Sequence, residues 1–428
     1  MEAAMANAFS KEERIAFEDI LEGFQDALVL SRNVAVYNTD QTLMERTSNV
    51  IWRPQPYIST SYSGTDMTTN FDDYTQLSVP ATIGFARSVP WVMNATELRD
   101  ALQEQRLGDA ARQKLASDIN VAIMNVAALQ GTLFVKRTAA ASGFDDVAEC
   151  EAVMNEQGVV DYDRYLALST RDYNGMASDL AKASRSFGNE TTDNAYRRAF
   201  VGRVASFDTF KLDYAVRKAA AAGGGALTVS TLVGAANYWV PKATNTASTG
   251  ETANVDNRYQ TITVSSTTNV AAGDSFTIGS VFACHHITKS STGILKTFRV
   301  ISVPSSTTLV ISPPIISNQG GSDAEAQNQN VVIVTPSATA PIVFLNTVTG
   351  SMNPFWQKDS LEILPGRYAV PSDAGVAVMR ASTDQGVELV MSKQYDINTM
   401  KTKYRLDTLY GVVNKQPEMS GIIMFSQT

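Results

Sequence analysis

The stretch FACHHITKS, residues 282–290, holds both histidines of the chain, His285 and His286, and one of its two cysteines, Cys284. A thiol beside imidazoles is the raw material of a zinc site, or of a nucleophile with its base. The surroundings argue against both. GDSFTIGSV just before it reads as a strand, and in an extended chain successive side chains point to opposite faces, so His285 and His286 do not converge on one ion. A closed zinc site needs about four ligands at usable spacing, and no second Cys/His cluster exists, Cys150 lying far away in sequence. A catalytic pair further needs an orienting group in space. The stretch is therefore expected to be a polar surface loop between two strands, with no catalytic, cofactor-binding or metal role.

Other chemical signatures are weaker still. GxGxxG after a strand, GxxxxGK[ST], GxSxG and HExxH are absent. The glycines 223–225 follow KAAAA and read as a flexible joint, not a phosphate loop. The pairs Asp72-Asp73 and Asp145-Asp146 lack calcium-loop spacing and read as solvated turns. The chain has the look of architecture.

Its elements are legible from pattern. FSKEERIAFEDILEGFQDALVL sets Ile15, Ile20, Phe24 and Leu28 at near-helical spacing, with Ser10 and Glu13 in capping-box order. The polar face of this helix is acidic: Glu12, Glu13, Glu18, Asp19, Glu22 and Asp26 outnumber Lys11 and Arg14. Residues 46–87 are β-rich, hydroxyl-rich and poor in charge, as for a long two-stranded excursion with its tip near Gly64. An isolated hairpin is marginal in water, so it is expected to lie on something else. From about 95 to 135, Leu98, Leu102, Leu115, Ile119, Ile123, Val126 and Leu133 follow Thr96 as a candidate N-cap. This reads as one long helix, or two in series if Gly108 breaks it. Residues 144–222 continue mostly helical with short strands, including the stretch 196–200 as helix. Beyond the glycines, ALTVSTLVG, RYQTITVSS, GDSFTIGSV, TFRVISV, TTLVISPPI and NVVIVTP are closely spaced strands. Residues 226–345 are thus expected to form an inserted small β-barrel, followed by strands in FWQKDSLEILPG and KYRLDTLYGVV. The fold class is α+β.

With 44% hydrophobic and 18% charged residues in 428, the composition is that of a globular chain long enough for two or three domains. No apolar run nears the ~18 residues of a membrane span, and MEAAMANAFSKEER lacks the order of a signal peptide. The expectation is a cytosolic chain with reduced, unpaired cysteines. Its 35 basic and 43 acidic residues give a net charge of -8 without a basic run, so no nucleic-acid footprint is present.

Four stretches carry a resemblance: SNVIWRP (48–54), GRVASFDTF (202–210), NVDNRYQTITVSSTTNVAAGDSFTIG (254–279) and NPFWQKDSLEI (353–363). In order and spacing they resemble the coat proteins of lambdoid short-tailed bacteriophages, of the type with an inserted telokin-like β-barrel. The resemblance covers most of the chain, and the block from NVDNR to GDSF is its most specific part.

The resemblance implies the tailed-phage major capsid fold, with an N-terminal arm (1–45), an E-loop (46–88), a spine helix with the first part of the peripheral and axial domains (89–225), the inserted barrel (226–345) and the second part of those domains (346–428). It implies a structural protein, not an enzyme, that forms hexamers and pentamers in an icosahedral shell within the virion, assembled in the bacterial host cytoplasm. Its implied partners are other copies of itself, a scaffolding protein, a portal protein and packaged DNA held without sequence-specific binding, with no membrane. By the same resemblance Glu18 and Asp19 on the arm are candidate scaffold contacts, and Lys242 and Glu251, on the polar loop YWVPKATNTASTGETAN, are candidate contacts between capsomers. A β-rich phage tail or surface adhesion protein is the alternative, although such a protein does not usually carry a spine helix and an acidic arm.

Overall fold

The computed structural model describes residues 9, 11–37, 50–56, 59, 61, 63–68, 71, 74–94, 101–183, 202–212, 214–223, 227–230, 238–333, 339–369 and 376–428. Ser10, Asp72, Asp73, Thr96, Gly224, Gly225 and residues 196–200, each given a role above, lie outside them. The chain divides into two units: Met1–Ile51, Ala81–Ile123 and Glu362–Val413 form one, and Trp52–Pro80, Met124–Leu361 and Asn414–Thr428 the other.

In the first unit, helix α1 (Lys11–Ala27) buries Phe17, Ile20 and Phe24, a helical stripe at spacings of three and four that Leu28 continues just past its end. Ile15 is half exposed instead. The long helix α2 (Ala101–Gln130) runs unbroken through Gly108. The glycine there serves close packing: a Cβ at Gly108 would lie 2.6 Å from Ile20 Cδ1 of α1. Asn120 of α2 ends α1, donating from Nδ2 to the Ala27 carbonyl at 3.0 Å and accepting from the Leu30 N–H at 3.3 Å. Beside these helices stands a six-stranded sheet. Its long strand Lys401–Asn414 pairs antiparallel with Phe85–Asn94, from Lys401 opposite Asn94 to Tyr410 opposite Phe85, and with Glu388–Asp396 on its other side. Aromatic pairs lock the first register, Trp91 stacking on Tyr404 and Phe85 on Tyr410.

The α2 helix stops at Gln130, earlier than the apolar pattern suggests, and Leu133 lies in a strand, Leu133–Lys136. Gly131 is the reason. A Cβ there would come within 2.8–3.0 Å of backbone atoms of Ala127, Ser420 and Gly421, so the chain turns where a neighbouring strand passes against it.

The second unit holds two cores. One is mixed: strands in the order Leu133–Lys136, Ser420–Met424, Asn353–Gln357, Arg164–Ser169, Phe207–Leu212 and Arg203–Val204. Helices α3 (Phe144–Glu156) and α4 (Thr170–Ala183) pack on it through Val147, Cys150, Met154, Tyr173 and Met176. The other core is all β. Its strands run Thr228–Ser230, Thr339–Phe344, Ser275–Cys284, Ser291–Ser302, Thr308–Ser312, Gln260–Thr263, and a bridge from Val229 to Val264 joins the first to the last. Sealing the edges in this way leaves no long unpaired strand. Phe276, Ile278, Phe298, Val300, Leu309 and Ile311 fill the interior. A short helix, α5 (Asp323–Asn328), is capped by Ser322, whose Oγ accepts from the Glu325 N–H. Val50–Pro54 and Ser78–Thr82 form a separate two-stranded sheet, with Phe71 between them almost fully exposed.

Gly421 is where the mixed core is tightest. It sits between two strands, and a Cβ there would lie 2.5 Å from the Leu133 carbonyl oxygen and 2.7 Å from Phe355 Cζ. Backbone cannot yield as a side-chain end can, so Gly421→Ala is expected to destabilise this unit by about 1–3 kcal/mol. An unchanged urea midpoint would show that the strands have room to part.

Candidate functional site

Neither thiol of the chain is set up for chemistry. Cys150 and Cys284 are buried, and burial pushes both thiols up, away from the reactive thiolate. Among the described residues no group of three His, Cys, Asp or Glu side chains is placed to hold a metal ion. What the structure offers is one buried polar contact and two exposed polar surfaces.

The contact is where the β-barrel meets the mixed core. Along Ser291–Ser302, Phe298 and Val300 point into the barrel core, and the period of a strand then sends Thr297 and Arg299 to the outside. There they meet the turn that follows α2. Thr297 Oγ1 donates to the Thr132 carbonyl at 2.8 Å, and Arg299 Nε to the Gly131 carbonyl at 3.0 Å. The Arg299 guanidinium thus lies at the C-terminal, negative end of a long helix, a favourable place for a cation. It is fully buried, and burial lowers it to about 9 against the pull of Asp274, so it remains charged at neutral pH. Lys296 makes the second tie: its Nζ lies 2.5 Å from Glu418 Oε1 and donates to Gln157 Oε1 at 2.9 Å. Asn330 Nδ2 also donates to Glu418, at 3.3 Å. Burial alone would raise the Glu418 carboxyl, but Lys296, with His286 and Asn330, holds it below the usual value.

FACHHITKS ends in the expected loop between two barrel strands, and one side of that loop also rests on this contact. The chain leaves the strand at Cys284 and folds into a turn, so the alternation argument for His285 and His286 does not apply. Ile287 and Thr288 face solvent, whereas the His286 N–H donates to the Gln157 carbonyl at 3.2 Å and its Nε2 lies 3.7 Å from Glu418 Oε2. A third tie comes from Arg258, bound to Asp256 at 2.7 Å and donating from Nη1 to the Asn414 carbonyl at 2.8 Å. Sequence reasoning passed over Arg258, Lys296, Arg299 and Glu418. The available signal was Lys296 and Arg299 set inside the apolar run ILKTFRV at positions of opposite parity, so that a single solvated strand face cannot serve both.

The first exposed surface is the acidic face of α1. Glu18, Asp19, Glu22 and Asp26 all face solvent, and Asp26 alone of these has an ion pair among the described residues, a 3.8 Å contact with Arg32. Glu13 does not belong to that face: it is buried, bound to Lys393 and to the Tyr404 hydroxyl. The second surface is the stretch holding Lys242 and Glu251. Thr244–Thr246 pairs antiparallel with Thr252–Asn254 in a hairpin that joins no other sheet, and every residue from 244 to 254 is exposed. Its base is pinned by Asn257, which accepts from the Trp239 indole and the Lys242 N–H, both at 3.1 Å, and returns a bond to the Lys242 carbonyl at 2.8 Å. Lys242 is exposed at the base and Glu251 next to the turn. They stand about five ladder positions apart, roughly 17 Å at ~3.4 Å per residue, too far to pair within one chain.

A family model described as "P22 coat protein - gene protein 5" matches residues 5–426. Among solved structures, a chain of Mycobacterium phage Che8 is similar at 10% identity over 92% of this chain and 90% of its own, with a TM-score of 0.44. The capsid of cyanophage P-SCSP1u is similar at 11% identity, over 92% and 86%, with a TM-score of 0.41. The CUS-3 coat protein I-domain is 38% identical over 28% of this chain and 96% of its own length, with a TM-score of 0.21.

Removing one partner of a buried ion pair leaves the other uncompensated, which typically costs about 3–5 kcal/mol. Lys296→Met is therefore expected to destabilise the second unit strongly, and Lys296→Met with Glu418→Gln to recover much of the loss. A double variant as unstable as the sum of its singles in urea unfolding would deny the coupling.

Proposed function

The chain belongs to the P22 coat protein family and is a structural major capsid protein that self-associates into the icosahedral shell of a phage; we propose that it builds that shell with a scaffolding protein, through the two exposed surfaces described above. Residues 1–45 serve as the arm, 46–88 as the E-loop, 89–225 and 346–428 as the spine, peripheral and axial parts, and 226–345 as the inserted barrel. Assembly takes place in the cytoplasm of the bacterial host, and the shell is filled with DNA through a portal protein. The net charge of -8 suits that role, since a wall of the same sign as DNA does not hold it.

The observation that supports a scaffold contact is the α1 face, on which Glu18, Asp19 and Glu22 stand in solvent without an ion pair among the described residues. A basic segment of the scaffolding protein is the complementary partner. Each exposed pair is worth ~0–1 kcal/mol and is screened by salt, which fits a partner that must later leave. Glu18→Lys with Asp19→Lys is expected to lower scaffold incorporation in a graded, salt-sensitive way while the monomer stays folded. Equal incorporation by the reversed chain at low salt would remove these residues from the contact.

For the hairpin, the support is its full exposure and the spacing of its charges. A two-fold axis brings two copies together antiparallel, so that Lys242 of one faces Glu251 of the other and the contact is made twice. Weak contacts of this kind close a shell because many act together. Replacing residues 242–251 with a short Gly/Ser turn is expected to leave monomer melting within a degree or so and to disturb shell size or closure. Closed shells at normal yield, seen by electron microscopy, would make the hairpin ornamental.

A further inference from the structure

We infer that the turn after Cys284, which carries His285 and His286, is an acid-released latch holding the barrel on the mixed core. The inference stands on the second unit of a single chain and is independent of how the shell assembles.

The His285 imidazole is used in its neutral form, whereas the His286 ring packs against the contact with its Nε2 unbonded, 3.7 Å from Glu418 Oε2. His285 Nδ1 accepts from the N–H groups of Ile287 and Thr288, at 3.2 and 3.3 Å, so its lone pair shapes the turn. A proton on that nitrogen would set three donors against one another. The ring also lies flat against Gly158, the left-handed residue (φ +80°) just beyond α3, where a Cβ would come 2.9 Å from His285 Cε1. His286 is mostly buried beside the same bend, with 13% of its side chain exposed and its N–H on the Gln157 carbonyl. The turn is thus seated on Gly158 by the His285 ring and on Gln157 by the backbone N–H of His286. These are the two histidines of the whole chain.

The charges around His286 decide what protonation does. Glu418 faces it from the segment Pro417–Met419, Lys296 from the strand Ser291–Ser302, and Lys289 and His285 from its own turn. The end of α3 and the segment before Val331 bring the uncharged Gln157, Gly158 and Asn330. Arg258 lines the same cleft but is bound to Asp256. Lys296 takes the one carboxylate through Oε1, leaving Oε2 3.7 Å from His286 Nε2 to balance two cations with a single charge, and Lys289 is tied to the Gln327 and Gln329 carbonyls. A further cation here has no unshared counter-charge.

Burial, with Lys296, Lys289 and His285 adding to it, outweighs the attraction of Glu418 and lowers His286 to about 4 from 6.5. A histidine released to solvent takes up its proton at the ordinary, higher pH. Docking is therefore fully present above about pH 6.5 and weakens as the pH falls through the window down to about 4. Between pH 7 and pH 5 this histidine alone shifts the docking equilibrium by roughly twentyfold. Glu418, held low, works in the same direction but only at more acid pH.

Hydrogen exchange on the full-length chain, kept below its assembling concentration and corrected for intrinsic rates, tests this at pH 7 and pH 5. Peptides covering 284–290 are expected to lose about tenfold or more of their protection at pH 5, while 275–283 and 308–312 in the barrel keep theirs. His285→Asn with His286→Gln supplies a non-titrating acceptor and a non-titrating buried side chain, and is expected to show the same protection at both pH values. Unchanged protection of 284–290 in the natural chain, or a loss spread evenly through the barrel, overturns the latch. So does an equal loss in the double variant. If that variant does not fold, the natural chain decides, because Glu418 is still ionised at pH 5.

Discussion

A desolvated positive strip on one strand is what makes the second unit a single object. The barrel is inserted in the chain, so the peptide links at its two ends tether it without orienting it. Thr297 and Arg299, on the carbonyls after α2, and Lys296, on Glu418 and Gln157, supply the orientation. Burying cations is costly unless each finds its partners, and that cost turns into specificity. A barrel displaced by one residue would leave Lys296 and Arg299 without acceptors in a place that water does not reach. Hydrophobic contact alone tolerates sliding; this contact does not.

Much of the fold was legible because the elements follow simple periods. The α1 stripe of Phe17, Ile20 and Phe24, and the alternating strands of the barrel, are patterns that burial imposes locally. Ends and exceptions were not legible, because they are set by what lies across the chain. Gly108 looked like a break and is a seat for Ile20; α2 ends at Gln130 because Gly131 lies against another strand. The hairpin Ala377–Ser382 with Glu388–Asp396, although its turn Thr383–Gly386 is written in TDQG, and the strand Thr339–Phe344 were passed over.

Of the candidate site, the exposed part could be read and the buried part could not. The charge of Glu18 and Asp19, and the polar run around Lys242 and Glu251, are properties of local composition. Glu13 shows the limit of that reading: it sits in the same acidic series, yet Lys393 and Tyr404, some 380 and 391 residues away, draw it inside. The histidines could be placed on a loop between strands, but the seat on which that loop rests could not. Their meaning lies in Gln157 and Gly158, which nothing in FACHHITKS announces.

Arg299 at the end of α2 bears on how such chains exchange parts. A barrel taken from another coat protein could fold by itself around its own apolar core and still be a poor transplant here. The recipient presents two bare carbonyls, at Gly131 and Thr132, and a buried carboxylate at Glu418, and the graft must bring a guanidinium, a hydroxyl and an ammonium at matching places on one strand. Compatibility between insert and host is therefore written in a handful of polar positions, and recombination between distant lineages should succeed or fail on those, largely irrespective of overall similarity.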